Sequence, residues 1–242
     1  MNTIMRLIPI GIVVLILAGC SEKDLRQAYE IVSASAEEVP LTNSEVVAAL
    51  KDSLSRGISK GAHIASAKDG YYGNPRLKIE FPTEVRKVDE ALRKIGFGKD
   101  VDRFVMQLNR SAEKAAAKSK PIFIKAITSM TIRDAFDILN GAEDAATQYL
   151  IRTTGDDLRE QFLPVVSDTL QETSATRYYG DIVNKYNQLP LVSDVDPDLE
   201  AYATDRAIAG LFVLIADEEA SIRANPGART TKLLRRVFGS LD

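Results

Sequence analysis

Three strings in this sequence carry the residue types of familiar chemistries. Gly57-Ile58-Ser59-Lys60-Gly61 spells GxSxG, the nucleophile elbow, in which a serine on a strand-to-helix turn is activated by a histidine further along the chain. Here the string lies within helical spacing and no strand precedes it. The single histidine, His63, follows two residues later on the polar row of Asp52, Arg56 and Lys60, so the string reads as a helix surface. Ser111-Ala112-Glu113-Lys114 matches SxxK, where lysine would ease removal of the serine proton. The partner strings SDN and KTG are absent, which leaves an exposed helical face. Asp194, Asp196, Asp198 and Glu200, with Asp205 at the twelfth position, mimic the oxygen spacing of a calcium loop. Leu199 stands where that loop needs glycine, Pro197 stiffens position four, and aspartate replaces the bidentate glutamate. The same residues read as a helix start, with Asp196 as N-cap and Pro197 at the first helical position. One cysteine and one histidine cannot supply a Cys/His zinc set, so no metal and no cofactor is expected.

A fourth group is less conventional. Asn109 and Glu113 lie four apart and flank the apolar stripe of one helix, with Arg110 between them. Tyr149, Arg152 and Thr153 share a face with Ala145 and Ala146, small residues that let another helix approach, and Thr154 follows. A charge at such an edge needs a partner, so Glu113 and Arg152 are expected to pair, with Arg110 and Arg229 as alternatives. The set reads either as a structural pair or as a notch for an anion, ligand or partner. The basic C-terminal stretch Arg223, Arg229, Lys232, Arg235 and Arg236 reads mainly as cations favoured near helix C-termini. Tyr71-Tyr72 and Tyr178-Tyr179 read as half-buried packing at turns.

Position in the cell is written more plainly than chemistry. After Arg6, Leu7 to Leu17 is an apolar run too short for the roughly 20 residues of a bilayer span, as in a signal peptide. It ends Leu17-Ala18-Gly19-Cys20, which resembles the lipobox of bacterial lipoproteins. That resemblance implies cleavage of residues 1–19 and lipid on Cys20, which is the chain's only cysteine. Ser21, where aspartate would resemble an inner-membrane retention signal, points to the outer membrane, with the protein facing the periplasm. A short helix and linker are expected over 20–41 and a single helical domain over 42–242. The 31 basic against 34 acidic residues exclude a nucleic-acid binder relying on bulk charge. The 45% hydrophobic content supports a packed core.

The elements that must position these residues are almost all helices. Capping patterns stand at Ser21-x-x-Asp24, Thr42-x-x-Glu45, Thr131-x-x-Asp134, Asn140-x-x-Glu143 and Thr154-x-x-Asp157. With helical apolar spacing between them, they predict helices near 22–34, 43–66, 83–95, 99–117, 120–129, 132–139, 142–153, 156–172, 176–188, 197–223 and 226–238. Pro164 predicts a kink or a helix start close to it. The apolar run Ala207 to Ala216 predicts a central helix buried all round. Arg76 to Phe81 instead alternates polar and apolar after a turn-forming stretch, which predicts a short extended strap or hairpin near 71–81. The fold class is therefore all-α, a multi-helix bundle with that one exception.

Taken together, DGYYGNPRLKI, FGKDVDRFVMQLNRSAEKAA, ILNGAEDAATQYLIRTTGDDL, RYYGDIVNKYN and EEASIRANPGARTTKLLRRVF resemble an uncharacterised family of bacterial envelope proteins, a domain of unknown function, over Val46 to Gly239. The resemblance implies a mostly helical domain behind an export signal and no activity, substrate or cofactor. Gly155 follows the threonines where many members would have serine. The expected function is a lipid-anchored interaction or envelope-maintenance module without evident catalysis, meeting the membrane through Cys20 and an envelope protein or ligand. The alternatives are a carrier enclosing a hydrophobic or anionic ligand, and a cell-wall enzyme using Glu113.

Overall fold

The computed structural model describes residues 41–81, 86–94, 96–172, 175–188, 198–225, 229 and 231–239. The expected signal peptide with Cys20, the helix expected over 22–34, the expected linker, and Asp194 to Pro197 of the calcium-like string lie outside them. The helices are α1 (Asn43–Ser66), α2 (Arg86–Lys94), α3 (Gly98–Ala116), α4 (Ser119–Ser129), α5 (Ile132–Leu139), α6 (Ala145–Glu172), α7 (Ala175–Asn187), α8 (Leu199–Ala224) and α9 (Lys232–Gly239). No strand occurs among the described residues, and none of these helices is long and apolar enough to cross a membrane. The all-α reading holds.

Two helix starts follow directly from local sequence. Thr42 accepts from the Glu45 N–H at 3.3 Å while the Glu45 carboxylate accepts from the Thr42 N–H at 2.9 Å, a reciprocal cap on α1. Thr131 and Asp134 repeat the device on α5. The expected starts at Asn140 and Thr154 do not form. Asn140 ends α5, its side-chain amide donating to the Phe136 carbonyl at 3.0 Å. Thr154 lies inside α6 and donates back to the Leu150 carbonyl at 2.6 Å.

The two helices expected over 142–153 and 156–172 are thus one. The reason is packing. Ala146, Leu150, Thr154, Leu158, Phe162, Val166 and Leu170 form an unbroken row at spacing four, all buried. Breaking the helix at Thr154 would turn half of that row away from the core. Pro164 stands on the exposed side and the helix continues through it, so no helix starts there.

Helices α6 and α8 pack along each other, and α3 lies against both. Helix α1 covers another side of α8, with α4, α5 and α9 closing around α1. The GxSxG string is a packing device: a Cβ at Gly57 would meet Glu218 Cβ at 3.3 Å, and one at Gly61 would meet Leu214 Cβ at 3.5 Å. His63 is exposed on the far side.

The run Ala207 to Ala216 is a correction. Leu211, Leu214 and Ile215 are buried, but Ala209 is exposed, and Ile208, Val213 and Ala216 are half-buried. One face of this apolar stretch meets an open groove beside α6. Gly155, on the α6 side of that groove, has no heavy atom within 4 Å of where a Cβ would stand. A glycine inside a helix is less favourable than alanine by about 1 kcal/mol. Gly155→Ala is therefore expected to stabilise the domain by about 1 kcal/mol, read from the denaturant midpoint at unchanged slope. A loss of stability would mean that the space is not open.

Candidate functional site

Between α1 and α2 the chain crosses the bundle as a strap. It begins in a tight turn where Asp69 adopts φ 66° and where a Cβ on Gly70 would come within 2.2 Å of the Ile64 carbonyl oxygen. Only glycine fits there. The turn presents the N–H groups of Tyr71 and Tyr72 to α3, where Glu113 Oε1 accepts both, at 3.1 and 3.2 Å. Glu113 Oε2 accepts from Arg110 Nη1 at 2.6 Å, and Arg110 Nη2 reaches Asp69 at 2.7 Å.

Further along, Leu77 and Ile79 point inward while Arg76 and Glu80 are exposed, so the two-residue alternation is real. Asn109 takes the place of a neighbouring strand. Its Oδ1 accepts from the Ile79 N–H at 2.8 Å, and its Nδ2 donates to the Ile79 carbonyl at 2.9 Å and to Val105 at 2.7 Å. Buried backbone groups need partners, and a lone extended segment finds them here on side chains. The Phe81 ring stacks on Phe104 of α3 at 4.6 Å.

Tyr71 fixes the strap to α8. Its phenol donates to the Ala207 carbonyl, and its ring passes Gly210 so closely that a Cβ there would lie 2.7 Å from the ring. The expected half-buried packing is wrong for Tyr71 and Tyr179, which are fully buried, and right for Tyr72, whose ring lies 5.4 Å from Lys78 Nζ and 5.9 Å from the Arg110 guanidinium. Burial, with the Glu113 carboxylate adding to it, raises the Tyr71 phenol well above its ordinary pKa. The folded chain then holds a proton that the unfolded chain releases above about pH 10. The stability this contributes is full below that pH and falls as pH rises through it. Tyr71→Phe is expected to unfold more easily at pH 8 yet to lose less on going to pH 11. An alkaline loss equal to that of the parent would refute the assignment.

A second cluster, not visible in the sequence, joins α5, α6 and α8. Glu219 of α8 is 7% exposed. Its Oε1 accepts from the Ala146 N–H at 3.0 Å, and its Oε2 accepts from the Thr147 N–H and hydroxyl, both at 2.8 Å. Those N–H groups belong to the first turn of α6, which has no helical acceptor for them. Glu219 is the cap that Asn140 was expected to be. Arg223, one turn along, donates to Glu219 at 3.0 Å and to the Ile138 carbonyl at the end of α5 at 2.8 Å. Arg229, buried, donates to the carbonyls of Ile222 and Arg223 and so caps the C-terminus of α8.

The eight residues singled out by sequence therefore separate into three places. Asn109, Arg110 and Glu113 hold the strap. Tyr149, Arg152, Thr153 and Thr154 lie on α6, and Arg229 closes α8. Glu113 and Arg152 do not pair. Arg152 is exposed, with its guanidinium 5.6 Å from the Tyr149 ring, and Glu113 takes Arg110, its neighbour one turn away. Tyr149 donates to the Ala126 carbonyl at 3.3 Å, and Thr153 donates to the Tyr149 carbonyl at 2.8 Å.

The other strings dissolve in the same way. The SxxK string is not the exposed face expected of it: Ser111 and Glu113 are buried, the Ser111 hydroxyl donates to the Leu108 carbonyl, and Lys114 alone is exposed, facing Glu172. Asp198, not the expected Asp196, caps α8 by accepting from the Ala201 N–H at 2.8 Å, Asp205 pairs with Arg159, and no cluster of metal-ligating side chains occurs among the described residues.

A model for a protein family of unknown function, DUF4197, matches residues 40–239. The chain belongs to that family. No curated protein and no solved structure matches it. Membership fixes the domain and assigns no chemistry, which leaves the geometry to speak. Among the described residues, the Thr204 hydroxyl is the one fully buried side-chain polar atom without a hydrogen-bond partner. The buried carboxylates Glu113 and Glu219 have every oxygen engaged by N–H, O–H or guanidinium donors.

Proposed function

We propose that this protein is a lipid-anchored helical interaction module on the outer membrane, facing the periplasm, with no chemistry of its own. One observation carries the reading. The lone cysteine of the chain closes a lipobox-like string, Leu17-Ala18-Gly19-Cys20, directly after an apolar run, and the family domain begins 20 residues later at residue 40. Several acyl chains at about 0.8 kcal/mol per buried CH₂ make a lasting anchor.

The interior supports a role without catalysis. Glu113, on which a hydrolytic reading would rest, accepts from two strap N–H groups and one guanidinium, a structural duty. The space between α1, α6 and α8 that Glu219 lines is about 20 Å³, room for about one water molecule, so a ligand carried there finds no support.

The test is the N-terminus itself. Mass spectrometry of the processed chain should find it starting at Cys20 and carrying acyl groups. Cys20→Ala should carry none and should fail to be processed at that position. A chain that starts elsewhere, or an unmodified Cys20, would overturn the anchor.

A further inference from the structure

The open groove between α6 and α8 shares Thr147 with the Glu219 cluster and carries the Arg159–Asp205 pair at its edge. It has a volume of about 630 Å³ and runs beside α6 from Asp144 to Arg159 and beside α8 from Asp205 to Ala216. At 1.5 Å per residue those edges are roughly 22 and 16 Å long, the length of about three turns of helix. Its floor is apolar, formed by Ile151, Ile208, Phe212 and Val213, and Ile151 is 40% exposed. The rim carries Asp144, Asp156 and Asp205 against one cation, Arg159, already paired with Asp205.

We propose that this groove docks a basic amphipathic helix of a partner protein. Deepening the interaction-module reading and resting on it, the proposal names the site and the chemistry of the occupant. An apolar trough accepts a helix laid along it with anchors at spacing three and four. The acidic rim selects lysine or arginine beside those anchors, through attraction that adds rate and specificity. The same three carboxylates repel an anionic lipid surface. The groove is open along its length, whereas a small-molecule pocket buries most of its ligand. The chain's own basic helix, α9, has Leu234 and Val237 buried within its own fold, so a second copy does not offer it.

The probe is a fluorescent 14-residue leucine–lysine peptide of helical period, read by anisotropy, with a leucine–glutamate peptide of the same pattern beside it. The full processed chain is used, in phosphatidylcholine nanodiscs if it carries lipid and in buffer if it does not, with blanks subtracted. The lysine peptide should bind about tenfold more tightly than the glutamate peptide, and less tightly as salt rises. Gly155→Phe, which projects into open space, should weaken binding about tenfold or more while the fold melts no lower. Asp156→Lys should weaken it several-fold and flatten the salt dependence. Leu163→Asp, exposed on α6 outside the groove, should change nothing.

Equal binding of the two peptides, or binding indifferent to Gly155→Phe, would overturn the proposal. So would a dimer in sedimentation that Gly155→Phe dissociates, because a second copy would then fill the groove. Groove-dependent binding by a chain without lipid on Cys20 would refute the anchor alone. An acylated chain that ignores the peptide would refute the groove alone.

Discussion

Glu219→Ala is expected to destabilise the domain by about 3–5 kcal/mol, the cost of removing one partner from a buried ion pair. The loss has three parts. The Ala146 and Thr147 N–H groups and the Thr147 hydroxyl lose their acceptor at buried residues. Arg223 keeps only the Ile138 carbonyl among its contacts across the α5–α6 junction. The partial positive charge at the start of α6 loses its facing carboxylate. For a domain of this size the melting temperature should drop by about 10 °C, at roughly 2–4 °C per kcal/mol. Glu219→Gln keeps one acceptor and should fall between the parent and alanine. Hydrogen exchange adds a local readout: the Ala146 and Thr147 amides should exchange faster in both variants than the α3 core does. A loss below about 1 kcal/mol would mean that α6 starts without help from α8.

Glu113→Ala is the second large effect, about 3 kcal/mol, from leaving the Tyr71 and Tyr72 N–H groups without an acceptor. It is smaller than the first because Glu113 accepts from two N–H groups, whereas Glu219 accepts from two N–H groups and a buried hydroxyl. Double-mutant cycles identify its guanidinium partner. Glu113 and Arg110 should couple by more than about 1 kcal/mol, while Glu113 and Arg152 should be additive within about 0.5 kcal/mol. Arg152→Ala alone should cost less than about 1 kcal/mol, the worth of an exposed guanidinium on an aromatic face. Stronger coupling to Arg152 than to Arg110 would overturn the description of the strap.

Much of the fold was legible because its causes are local. The start of α1 needs only Thr42 and Glu45, and that of α5 only Thr131 and Asp134, each pair three residues apart. The strap declared itself through the alternation from Arg76 to Phe81, since a two-residue period survives whatever the strap lies on. The Thr154 start failed where a local rule met a longer one. One hydroxyl contributes about 1 kcal/mol as a cap, whereas the buried row from Ala146 to Leu170 gains the burial of several large apolar side chains at about 1.5–3 kcal/mol each.

The sequence determined by itself where α1 and α5 begin, which segment is extended, and that the one cysteine closes a lipobox-like string. Only the tertiary structure decided what the buried polar side chains meet. Glu113 takes the N–H groups of residues 41 and 42 positions away, Asn109 takes both backbone groups of Ile79, and Glu219 caps a helix that starts 74 positions earlier. Cationic partners for a carboxylate are written in residue types. A backbone N–H is the same on every residue but proline, so only packing can say which one a buried carboxylate will face.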